Sequence, residues 1–142
     1  MLKRNVCGLL LIFAFSVSAT LAQKIVTPAK NSLERAAIFN ALRAPVSKEL
    51  KQKVSFVADN FKVQGNWAFV GGQVKNASGG APDWKVTEYQ QRIDDDSFED
   101  NMFALLKKTG GKWRVVTYMI GCNDVCYLGW DEEFKAPKAI FE

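Results

Sequence analysis

Val54, Phe56 and Ala58 alternate with Ser55, Val57 and Asp59, and Phe61 and Val63 follow, so the chain here repeats every second residue, as a strand does. QGN at 64–66 supplies a turn, and WAFVGGQVK returns from it, which predicts a hairpin bent at Gly65. The adjacent Gly71 and Gly72 predict a bulge or sharp bend, and with it a sheet curved around whatever it covers. Trp84–Ile93 reads as a further strand between the loops NASGGAPD (76–83) and DDDSFEDN (94–101). Met102–Lys107 and Lys112–Ile120 flank TGG and form the clearest hairpin. In its second strand Val115, Thr117 and Met119 are expected on one face, Val116, Tyr118 and Ile120 on the other, both substantially covered.

Before these strands the period is helical. Asn31 and Glu34 have the spacing of a capping box, and Leu33–Ala44 places Leu33, Ala37, Ile38, Ala41, Leu42 and Ala44 on one half of a wheel. Pro45 is expected to end or kink the helix. Arg35, Phe39 and Arg43 fall on the opposite side, as a solvated stripe with an Arg resting on a ring; a partner or anion contact is the alternative. Residues 23–30 read as a loose lead-in, 124–134 as one or two helical turns, and KAPKAIFE as an irregular end. The sum is an α+β fold: an N-terminal helix on a curved antiparallel sheet of four to five strands, with a short C-terminal helical segment.

Composition changes this picture at the N-terminus. Lys3 and Arg4 precede an apolar run from Val6 to Val17 and small residues ending at Ala22, the pattern of a signal peptide cleaved before Gln23. Its loss leaves residues 23–142 as a single domain with no stable membrane insertion, periplasmic or secreted. Lys3 and Arg4 leave with it, so 17 of 19 basic residues remain against 15 acidic ones, and the charge falls from +4 to +2. The remaining cations are scattered, which gives no nucleic-acid footprint.

Cys7 also leaves, and Cys122 and Cys126 remain as an even pair outside the reducing cytoplasm, where a disulfide is expected. Closing so short a ring contributes only about 2 kcal/mol, so it shapes a turn more than it holds a domain. Zinc is the sharper alternative, but the chain contains no histidine and Asp124 would have to complete an improvised site. Copper(I) would accept the two sulfurs with Met119, and a thiol redox role normally wants two intervening residues, not three.

RAAIFNALRAPV, VQGNWAFVGG, GGKWRVVTYMIG and CNDVCYLGW together resemble a group of small bacterial exported proteins, over most of residues 33–141. The arrangement looks like a cystatin-like or NTF2-like cone. The resemblance implies a fold and assigns no activity, cofactor or catalytic residue. The cystatin inhibitor hairpin is not reproduced, since Gln73, Val74 and Lys75 lead into Asn76 and Ala77.

Without histidine, the commonest general base and the Ser-His and Cys-His pairs are gone. Asp59, Asp83, Glu88 and Tyr89 could supply acid or base chemistry only if desolvated. Asp94, Asp95, Asp96, Glu99 and Asp100 lack the glycine and closing glutamate of a calcium loop and read as solvated. Trp67 and Trp113 suit the core, whereas Trp84, Tyr89, Tyr118 and Trp130 are the candidate ligand-binding residues. The function that follows is a noncatalytic exported module binding an envelope protein, cell-wall component or small apolar ligand through the concave face or the edge near Cys122 to Trp130. A histidine-free enzyme with a carboxylate acid or base, and a thiol or copper protein using Cys122 and Cys126, are the alternatives. Intact-mass spectrometry of the exported protein is expected to give a chain starting at Gln23; a mass retaining residues 1–22 would refute the processing.

Overall fold

In the computed structural model, which describes residues 23–142, Ile38, Leu42, Val46 and Leu50 recur at intervals of four and form the buried stripe of a helix, α1 (Leu33–Leu50). The expected signal peptide, residues 1–22, lies outside the described residues. Burying each of those side chains contributes on the order of 2 kcal/mol, so the stripe carries the helix past Pro45, which neither ends it nor lies on its buried line. The start also differs from expectation: Ser32, not Asn31, is the cap, its Oγ accepting from Arg35 N at 3.2 Å. Lys51, in the left-handed conformation, closes the other end. Leu33, Ala37 and Ala44 are exposed, because the buried line is offset from the half-wheel expected.

Arg35, Phe39 and Arg43 do not form a solvated stripe. Phe39 packs between Phe56 and Phe61, at centroid distances of 5.5 and 5.3 Å, and Arg35 lies over Phe39 and Phe61. Arg43 Nε donates to Val54 O at 3.2 Å.

Five strands pair antiparallel in chain order: β1 (Ile25–Val26), β2 (Val54–Gln64), β3 (Trp67–Asn76), β4 (Met102–Thr109) and β5 (Lys112–Ile120). β1 occupies part of the segment expected to be a loose lead-in. The sheet is not strongly curled, so the generic α+β layering is present without the marked curvature expected. One face carries Val54, Phe61, Val63, Ala68, Val70 and Ala104 among others against the α1 stripe. The opposite face carries Phe69 and Leu105 under the C-terminal segment, where α3 (Trp130–Phe134) and the turn Lys138–Ile140 bring Trp130, Ala136 and Ile140 onto the sheet.

Two bulges keep the apolar residues of the outer strands on the α1 face. Ala58 pairs with Gly72 and Asn60 with Gly71, so Asp59 is the extra residue and Phe61 rejoins the face of Phe56. In β5, Leu106 pairs with Val115 and Leu105 with Thr117, leaving Val116 over. Val115 and Tyr118 therefore share the core face, and Val116 and Met119 are exposed, contrary to the simple alternation and to cover on both faces. The glycines sit opposite the bulge rather than within it. A Cβ on Gly72 would lie 1.9 Å from Val57 O, which no shift of a flexible side chain could relieve.

Trp84–Ile93 is not a strand. It forms a 3₁₀ turn, Trp84–Val86, and a short helix, α2 (Tyr89–Asp94), because β3 pairs directly with β4 and leaves no edge between them to receive it. Gly72→Ala is expected to cost about 3 kcal/mol or more of stability by overpacking against backbone. Gly111→Ala, at positive φ but in open space, is expected to cost only about 1 kcal/mol. Equal shifts in urea denaturation midpoint for the two variants would refute the close-approach account.

Candidate functional site

The segment that is not a strand builds the site. Gln52, just beyond α1, holds Asp83 at both backbone atoms, donating from Nε2 to Asp83 O at 3.0 Å and accepting at Oε1 from Asp83 N at 2.8 Å. Asp83 Oδ1 accepts from Lys85 N at 3.1 Å and starts the 3₁₀ turn. Thr87 Oγ1 donates to Trp84 O at 2.7 Å and accepts from Tyr89 N at 3.1 Å, which turns the chain directly into α2. Trp84, Tyr89 and Phe98 then meet edge to face, with centroids 4.9 to 5.9 Å apart, at the margin of the α1 core.

Over this cluster Glu49, from the last turn of α1, accepts from two phenols: Tyr89 on Oε1 and Tyr118, from β5, on Oε2. Burial raises both phenols above their ordinary value near 10, and the hydrogen bond and negative charge of Glu49 raise them further. Arg92 opposes the effect at Tyr89. At neutral pH both hydroxyls are therefore protonated and donate to Glu49.

Arg92 is fixed from behind. Its Nη2 donates to Ser97 O at 2.8 Å and to Gly121 O, and its guanidinium lies 5.9 Å from the Phe98 ring centroid. Gly121 has φ +74°, and a Cβ there would lie 2.3 Å from the Phe98 ring, so the carbonyl reaches Arg92 only because the residue is glycine. The next residue starts the disulfide: Cys122 and Cys126 are bonded, with Cα atoms 6.0 Å apart. Asn101 clamps this loop to the start of β4, accepting at Oδ1 from Cys122 N at 2.8 Å and donating from Nδ2 to Cys122 O at 2.7 Å. Because the sulfurs are joined, neither is a free thiolate, which weighs against the thiol or copper alternative.

The result is a pocket of about 380 Å³ lined by Glu49, Lys51, Glu88, Tyr89 and Arg92. Of the four residues proposed from sequence, only Tyr89 lines this pocket; Trp84 packs against the Tyr89 ring, and Tyr118 is joined to it through Glu49. Trp130 lies apart: it is 5% exposed, in the second core on the opposite face of the sheet. Asp59 sits at the β2 bulge, and it, Asp83 and Glu88 are exposed rather than desolvated. The acidic stretch is exposed too, with Asp94 accepting from Gln90 and Asp100 3.6 Å from Lys75 Nζ. Among the described residues no group of three His, Cys, Asp or Glu could hold a metal ion, and no helix is long and apolar enough to cross a membrane.

Sequence reasoning missed Glu49, Lys51 and Arg92. The available signal was the apolar spacing of four that continues through Val46 and Leu50 and places Glu49 on a helix. Compared with protein-family models, curated proteins and solved structures, the chain matches none.

Glu49→Ala is expected to lower the tyrosine titration midpoint of Tyr89 and Tyr118 toward 10, measured by ultraviolet absorbance. Because the folded phenols hold their protons above the unfolded value, their contribution to stability is complete below about pH 10 and declines as pH rises beyond it. The native protein should lose stability more steeply than the variant above that pH. Identical titration curves would show that Glu49 does not hold the phenols.

Proposed function

We propose that the protein is an exported, noncatalytic binding module, periplasmic or secreted, whose pocket at the Glu49 end of α1 takes a small zwitterion such as a short peptide of the cell envelope. The observation that carries this reading is the lining of the pocket: two carboxylates, Glu49 and Glu88, and two cations, Lys51 and Arg92, around the ring of Tyr89. Such a wall opposes a purely apolar ligand, whose entry would desolvate four charges without answering them. Arg92 spends Nη2 on the protein, while Nε and Nη1 have no acceptor among the described residues, and a ligand carboxylate can accept from either one. Lys51 adds a second cation, and Glu88 offers an exposed acceptor to an ammonium group.

Export is supported by the Lys3–Arg4 and Val6–Val17 pattern and by a disulfide of the kind that persists outside the cytoplasm. The helix on an antiparallel sheet supports placing the chain with bacterial exported proteins of cystatin-like or NTF2-like architecture. Protonated phenols committed to Glu49 support recognition over proton transfer.

Isothermal titration with alanyl-alanine tests the reading. A dissociation constant below about 1 mM is expected, weakened about tenfold by acetylating the amine, by amidating the carboxylate, or by Lys51→Gly. Lys51→Gly keeps the left-handed cap of α1 unstrained. No heat of binding, or equal binding of the blocked and free dipeptides, would refute the zwitterion site.

A further inference from the structure

A second cavity, of about 620 Å³, lies between the first half of α1 and the β4–β5 hairpin and shares no lining residue with the first. Its volume is in the range of small-molecule sites, about 300–1,000 Å³. Leu33, Ala37 and Ala41, one turn apart, lay an apolar strip along its helical wall, and Leu33 is 89% exposed. The facing wall holds Lys108, Lys112 and Trp113.

Trp113 is only 8% exposed, and its Nε1, closed to water, has no acceptor among the described residues. A buried donor left unpaired is costly, and few native groups are left so without a reason. Lys108 Nζ sits 5.5 Å from the Trp113 ring centroid and 3.2 Å from Glu34 Oε1, in an ion pair both of whose ends are more than a third exposed. Such surface pairs are weak and readily exchanged. Lys112 is exposed and has no ion-pair partner among the described residues, so the two lysines outnumber the single carboxylate in the lining.

We propose that this groove binds an amphipathic anion, a single alkyl chain ending in a carboxylate. The chain lies on Leu33, Ala37 and Ala41, and the head group takes Lys108 from Glu34 and shares it with Lys112. Once Lys108 turns from the ring, a head-group oxygen supplies the acceptor that Trp113 Nε1 lacks. A neutral apolar occupant would answer the strip but leave both cations and the indole N–H unmatched, and an inorganic anion would leave the strip bare.

Titration of ¹⁵N-labelled protein with decanoate, read at the indole N–H resonance of Trp113, tests the assignment; Trp113→Phe identifies that resonance among the four tryptophans. A saturable downfield shift is expected, weakened about tenfold by Lys112→Glu and abolished by Ala37→Trp, which fills the strip from an exposed position. The proposal is overturned if decanoate leaves the resonance unmoved, if decanol or decyltrimethylammonium moves it as far, or if Ala37→Trp titrates like the native protein. A parallel arm with phosphatidylglycerol vesicles separates a free amphiphile from a membrane surface: co-sedimentation without a decanoate response would overturn the proposal in favour of the surface.

Discussion

The central pair of strands is apolar on both faces, and that constraint organises everything around it. Ala68 and Val70 of β3 and Ala104 and Leu106 of β4 point to one side, Phe69 and Leu105 to the other, and all six are buried. A single helix can cover only one face. The chain therefore requires a second layer, and the tail supplies it: Tyr127 and Phe141 lie with ring centroids 4.9 and 5.0 Å from that of Phe69, over a core that includes Trp130 and Ile140. The C-terminal residues, which look irregular by composition, are as much part of the core as α1. They are held by side-chain packing more than by regular backbone pairing.

The two hairpins were legible because period-two runs flank short turns, and those signals are local. What local pattern could not supply was parity. A strand with a bulge looks in sequence like a strand whose alternation has slipped, and only the partner strand says where the extra residue sits. Asp59 and Val116 each absorb one residue, after which Phe61 and Tyr118 return to the core face. The misreading of Trp84–Ile93 has the same origin. Its apolar positions fit either period, and the choice is made by the absence of a free edge beside β3 and β4, a fact about the whole sheet.

The candidate site was legible in its aromatic residues and not in its charges. Trp84, Tyr89 and Tyr118 stand out by type in the sequence, whereas Glu49 and Arg92 are ordinary charged residues until the fold places them. Pro45 hid Glu49, because a proline inside a helical pattern predicts an end. Here it costs the helix one backbone hydrogen bond, while the buried line from Ile38 to Leu50 continues through Val46. Trp130 shows the converse: a residue chosen for its size and its place beside the disulfide proved to be needed for covering Phe69 and Leu105.

The short disulfide gains meaning from what it is tied to. A ring of five residues adds little to global stability by chain entropy, roughly 2 kcal/mol. It lies, however, immediately after Gly121, whose carbonyl receives Arg92, and its first cysteine is paired through backbone N–H and C=O to the Asn101 side chain. These contacts run in one physical chain, from the end of β5 through Gly121 to the guanidinium at the pocket wall. Arg92 also faces Tyr89, whose hydroxyl is bound to Glu49, so the crosslink and the last turn of α1 meet across the pocket. The crosslink thus acts where it fixes the direction of one cation, and the packed layers on either side of β3 and β4 carry the stability.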